Sequence, residues 1–184
     1  GFYTDANNEF SDEQLSWLDS QLTQYENDGK NIFIMEHANF DRWGAGDRLN
    51  NPLYDIPLKD SCTATVKLKA LLQKHKSPVM ITGHTHFRFS LQLNYSNNNQ
   101  TSAAVIHNSA VGGVRDIVNG ARYNDKSREL TEGYIVEVYD NATIFYGTNL
   151  YRNKIDPSAS YIVPQTTSSV EPEPTQAPTQ EPTQ

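Results

Sequence analysis

The chain has 184 residues, with 22 Asp and Glu against 15 Lys and Arg, a net charge of -7 and a pI near 5.1. That balance argues against a nucleic-acid-binding surface, which needs clustered Lys and Arg. No apolar run approaches the roughly 20 residues of a membrane span, and a single cysteine, Cys62, rules out an internal disulfide. The length suits one domain with a sizeable core. The chain opens on Gly1 with no signal peptide before "GFYTDANNEF", so it is expected to be part of a longer protein with further domains on both sides.

In chain order, "FSDEQLSWLDSQLTQYEND" predicts a helix. Ser11 is its N-cap, Gln14 completes a capping box, and Leu15, Leu18, Leu22 and Tyr25 share a face. "KNIFIME" reads as a buried strand ending at His37. A long loop follows, "ANFDRWGAGDRLNNPLYDIPLKDS", and loops of this length are usually functional or mobile. "CTATVKLKALLQKHK" predicts a second helix, with Val66, Leu68, Leu71 and Leu72 for packing. Cys62 stands at its start as a small structural residue, and His75 near its C-terminus, where the dipole favours a cation. "PVMITG" is the next strand. Short strands are then expected at "FRFSLQLNY", "AAVIHNS", "GYIVEVYD" and "ATIFYGT", with turns at "NYSNNNQ" and Asp140-Asn141. The order is αβαβ followed by β-strands, in a domain spanning residues 1-162.

Residues 163-184 differ in kind. "EPTQAPTQEPTQ" repeats Pro-Thr-Gln and offers almost nothing to bury, so a disordered stalk with polyproline II tendency is expected. Such stalks suit an extracellular or cell-surface protein. The sequons at Asn94, Asn99 and Asn141 agree with that setting.

Histidines carry the chemistry. Gly83-His84-Thr85-His86 follows the strand "PVMITG", and His37 ends the preceding strand. Two histidines one residue apart can turn ring nitrogens toward one centre, with Gly83 expected to take the bend. All three lie at strand ends, so one rim of a sheet can hold them as metal ligands. His107 ends "AVIH" beside a glycine-rich loop and reads as a strand-end, supporting or substrate-facing residue.

The ordered set "FSDEQLSWLDSQL", "NIFIMEH", "VMITGHTHF" and "EGYIVEVYDNATIFYG" resembles the calcineurin-like metallophosphoesterases over residues from about 10 to 162. The resemblance implies an α/β fold, the C-terminal half of a four-layer α/β/β/α sandwich with mixed sheets. It implies two metal ions (Zn, Mn, Fe or similar) roughly 3.5–4 Å apart that activate a hydroxide to attack a phosphate mono- or diester. By resemblance His37 and His84 bind one ion and His86 the other. The family's earlier Asp-x-His, Gly-Asp and Gly-Asn-His-Asp/Glu blocks, with their carboxylates, do not occur here. Gly46-Asp47 lies after His37 and is not assigned the bridging role. The implied product is therefore a phosphoesterase parent, inactive as this chain alone, with no catalytic residue here beyond the metal ligands and a sheet edge left open.

Substrate-binding candidates are Asn39, Arg42 and Trp43, just after His37, and His107 and Asn108, with Ser109, Gly112 and Gly113 at the mouth. Arg42 suits a phosphate oxygen and Trp43 an aryl or nucleobase leaving group. The histidines and the tail also fit two other readings. One is a mononuclear zinc enzyme using His84, His86 and His107; the other is a β-rich adhesion or binding module on a stalk.

Overall fold

The computed structural model describes residues 10–47, 62–118, 121–125 and 128–165. Ser11 starts α1 (Asp12–Asn27) with the expected capping box. Its hydroxyl oxygen accepts the Gln14 N–H at 3.1 Å, and Gln14 Oε1 accepts the Ser11 N–H at 2.9 Å. Leu15 and Leu22 are buried and Leu18 packs beside them, while Tyr25 stays exposed. Gly29, at φ 62°, closes the helix.

The chain then builds β1 (Phe33–Ala38), α2 (Thr63–Lys74), β2 (Val79–Gly83), β3 (Tyr95–Ser96) and β4 (Ala104–His107). These strands form one mixed sheet in the order β1-β2-β4-β3, with β1, β2 and β4 parallel and β3 antiparallel. Strand alternation divides the apolar residues between two cores. Ile34, Met80 and Val105 face the helices, against Leu15, Leu68 and Leu72. Val79, Ala104 and Ile106, with Ile81 beside them, face the other way. Within α2, Val66 is exposed rather than packed, since Ala64, Leu68 and Leu72 occupy the buried stripe.

After a hairpin of β5 (Val114–Val118) and β6 (Ala121–Asp125) come β7 (Glu132–Val138), β8 (Ala142–Asn149), β9 (Lys154–Ile155) and β10 (Tyr161–Pro164). A second sheet has the order β10-β8-β7, with β9 on β8. Its Phe145 and Val163, with Tyr134 and Tyr161, close the second core. The architecture is thus a helix layer, a mixed sheet and an antiparallel sheet. Among the described residues no helix covers the outer face of the second sheet, so three layers of the α/β/β/α order lie within them.

Three local expectations change. "FRFSLQLNY" is not one strand but a 3₁₀ turn (Phe89–Leu91) leading into the short β3. Side chains share its backbone groups with neighbouring strands: Glu132 accepts the Phe89 N–H at 2.8 Å, Gln92 and Asn94 donate to the Phe87 and Phe89 carbonyls, and the Arg88 N–H donates to the Arg115 carbonyl on β5 at 3.1 Å. Asn94 is consequently buried, and a glycan there is incompatible with this fold; Asn99 and Asn141 are exposed at turns. Ordered pairing also runs past residue 162, since β10 continues to Pro164 and Gln165 donates to Thr143 Oγ1 at 2.9 Å. The expected disorder of the stalk falls, from residue 166 on, outside the described residues, as do parts of the long loop at 48–61.

His75 does more than cap α2. It is 3% exposed, its Nδ1 lies 2.6 Å from Glu26 Oε2, and its Nε2 lies 2.6 Å from Asp19 Oδ1. Both carboxylates come from α1, so the ring ties the two helices together. Lys74 adds bonds of 2.7 and 2.9 Å to Asp19. Side-chain hydrogen bonds hold Asp19 below the usual carboxylate range, Lys74 first and His75 second.

Candidate metal centre

The carboxyl ends of three adjacent parallel strands meet at one rim, where open α/β sheets place their sites. His37 is near the end of β1, His84 follows β2 and His107 ends β4. The register between β1 and β2 slips by one: Met35 pairs with Ile81, yet Ala38 pairs with Gly83. Glu36 and His37 therefore oppose the single residue Thr82, a bulge that re-aims the side chain there. It brings His37 Nε2 to 2.9 Å from His84 Nδ1, with the rings edge-on at 80° and centroids 4.9 Å apart.

The bend after β2 is made unexpectedly. Gly83 does not have positive φ; a Cβ there would meet only the His37 carbonyl at 3.9 Å. Instead His84 (φ 79°) and His86 (φ 59°) take the left-handed conformation that non-glycine residues seldom adopt. Thr85 between them is buried, its N–H bonded to the Gly83 carbonyl at 3.0 Å. Arg115, on β5, grips the same turn. Its N–H donates to the His86 carbonyl at 2.6 Å and its Nη1 to the Thr85 carbonyl at 2.9 Å.

Whether these residues suit a metal ion is a question of donor geometry. Two imidazole nitrogens on one tetrahedral ion sit roughly 3.3 Å apart, given metal–nitrogen bonds of about 2.0–2.1 Å. The His37–His84 separation of 2.9 Å is that of a hydrogen bond between the two rings, so the pair is close enough to share an ion only if that bond opens and both nitrogens turn toward it. A full centre is not assembled. Among the described residues no group of three or more His, Cys, Asp or Glu is placed to hold an ion, so His86 is not brought into a cluster with the other two. Asp47 is spent on its own loop, accepting the Arg42 N–H at 3.0 Å and the Gly44 N–H at 2.8 Å, while partial burial raises its pKa.

His107 is not substrate-facing. It has no exposure, and each ring nitrogen is 2.8 Å from a threonine hydroxyl, Nδ1 from Thr82 and Nε2 from Thr85. A zinc site of His84, His86 and His107 would have to break one of these bonds. Burial, with a smaller contribution from His84, pushes the ring's pKa down to about 3 and keeps it neutral.

The loop candidates separate. Asn39 is buried and donates to the Phe40 carbonyl at 3.2 Å. Trp43 stands edge-on to Phe40 with Lys69 over both rings, so it anchors the loop rather than presenting a free face. Arg42 alone extends into solvent, 3.8 Å from Asp41. Asn108 is half-buried and turns its Oδ1 onto the Ser109 N–H at 3.0 Å, and Gly112 and Gly113 are exposed. Thr82, Gln92 and Arg115 carry no motif signal, and only their contacts bring them into the site; Thr85 stands within the histidine motif, but its role comes from its contacts.

No family profile matches the chain, and no curated protein does. Among solved structures it is similar to a dimetal phosphatase from Danio rerio, with a TM-score of 0.50 and 18% identity, over 85% of this chain and 39% of that one. At that identity the likeness is one of fold, and the chain spans well under half the length of the phosphatase it matches.

Proposed function

We propose that this chain is the distal part of a metal-dependent phosphoesterase domain. The observation that carries the reading is the bulge-aimed His37 Nε2 facing His84 Nδ1 across 2.9 Å, at the carboxyl rim of a sheet whose fold is like that of a dimetal phosphatase. His37 and His84 would hold one ion through neutral nitrogens, and His86, on the same turn, would serve a second. Bound divalent or trivalent ions would supply an acidified water and neutralise phosphate oxygens. Three imidazoles bring no negative charge to offset two cations, so the carboxylate ligands come from polypeptide outside the described residues. Arg42, exposed on the loop that follows β1, would be the side chain to meet a phosphate oxygen of the substrate. The Pro-Thr-Gln composition and the exposed sequons Asn99 and Asn141 support an extracellular setting.

The test compares the full natural polypeptide with the 184-residue chain on an activated aryl phosphate ester, with Mn²⁺ or Zn²⁺ supplied. Metal-dependent turnover is expected from the former and none above background from the latter. His37→Ala and His84→Ala should each lower metal content, and should lower turnover by at least about 100-fold, the scale of losing about 2.7 kcal/mol or more of transition-state stabilisation. Clear turnover by the chain alone would sink the need for outside ligands. A full polypeptide inactive with every divalent ion would sink the phosphoesterase reading.

A further inference from the structure

The proton directions from Gln92 to His107 Nε2, in the bond chain behind the histidine turn, follow from one group that can only accept. The Phe87 carbonyl lies 3.2 Å from Gln92 Nε2, so the Gln92 nitrogen faces Phe87 and its Oε1 faces Thr85, 2.8 Å away. The Thr85 hydroxyl therefore donates to Gln92. Its oxygen is left to accept, from the Phe87 N–H at 3.4 Å and from His107 Nε2 at 2.8 Å. His107 then carries its proton on Nε2. In the neutral ring Nδ1 then accepts from Thr82 at 2.8 Å, a shorter contact than the 3.4 Å from the same hydroxyl to the Ile106 carbonyl; Thr82 is the residue opposite the β1 bulge that aims His37. Every member is buried.

We propose that His107 and Thr85 are positioning residues for the metal-binding turn: a buried hydrogen-bond chain, Thr82–His107–Thr85–Gln92, holds His84 and His86 in their left-handed conformation. Thr85 sits between the two histidines, so anchoring its side chain inward sets both neighbours' rings outward toward the rim. Arg115 fixes the two carbonyls of the same turn from β5, leaving the turn gripped by both side chain and backbone. The inference rests on the reading of His84 and His86 as metal ligands, and it adds the groups that orient them.

The experiment uses the 184-residue chain labelled with ¹⁵N at histidine, with Zn²⁺ alone as the probe. Long-range ¹H–¹⁵N spectra at neutral pH are expected to show His107 neutral with the proton on Nε2. A proton on Nδ1, or a charged ring, overturns the proposal without any variant being made. Thr85→Val keeps the shape but removes the hydroxyl. It should move the backbone and ring signals of His84 and His86 and weaken Zn²⁺ binding about 10-fold or more, the usual scale for losing an outer partner of a ligand. Thr85→Ser, which keeps the hydroxyl, should restore both. A Thr85→Val chain that melts earlier yet binds Zn²⁺ as the parent does, with unmoved His84 and His86 signals, would reduce the chain to packing and overturn the proposal. If the His37 and His84 rings of the unsubstituted chain do not respond to Zn²⁺ at millimolar concentration and the full natural polypeptide binds none, the metal reading fails, while the tautomer and the His84 and His86 signals still decide the positioning.

Discussion

At His84 and His86 the backbone holds positive φ on residues with full side chains, a conformation that persists only when surroundings over-determine it. The neighbours meet that condition from three sides: the Gly83 carbonyl, the His107 network and Arg115. The same logic applies at Gly46, where φ is 93° and an added Cβ would fall 2.6 Å from Asn39 Cβ. Gly46→Ala is expected to destabilise the chain by about 1–3 kcal/mol through strain and displacement of Asn39, read from a urea midpoint. The histidines' chemical types were legible in the sequence because a metal site needs particular atoms. Which residue bends was not legible, because the choice between Gly83 and its neighbours depends on contacts from β4 and β5.

At the scale of elements, the two helices are joined by charge as well as by leucines. His75 between Asp19 and Glu26 replaces the simple dipole role expected from its position at the end of α2. His75→Ala would leave two carboxylates without their shared donor, at about 2–3 kcal/mol of stability. It should leave the Zn²⁺ response of His37 and His84 unchanged at temperatures where the variant is folded. Acidification acts on the same contact. Asp19 has a lower pKa folded than unfolded, so its contribution is complete above about pH 4 and fades as pH falls through the folded value. Urea midpoints measured from pH 6 to pH 3 should fall more steeply for the parent than for Asp19→Asn; parallel curves would remove Asp19 from the account. The capping box was readable from Ser11 and Gln14 because both partners are three residues apart. The His75 clamp spans 49 and 56 residues, which no local pattern encodes.

For the whole molecule, what stands open is as informative as what is packed. Among the described residues no strand pairs with the outer edge of β1, where Met35 is 81% exposed, and Trp17 on α1 nearby is 63% exposed. Both line an apolar groove with Phe10, Leu18, Ile34 and Met80. Ile135, Val136 and Val138 on β7 are exposed as well. Open parallel edges invite pairing with other chains. The isolated chain is therefore expected to self-associate, and Met35→Lys should raise the monomer fraction in sedimentation velocity. An unchanged monomer fraction would show that β1 is not the sticky edge.

The sequence by itself determined the αβαβ order, the first helix's cap, the β7–β8 hairpin and the histidines that stand as metal-ligand candidates. Each of these depends on spacing within one segment, where periodicity and turn chemistry act locally. Tertiary structure alone decided that a one-residue bulge aims His37 at His84, that His107 turns inward rather than toward a substrate, and that Thr82, Thr85, Gln92 and Arg115 belong to the site. Those outcomes come from strand register and from hydrogen bonds between residues distant in the chain, which exist only once the sheet has formed.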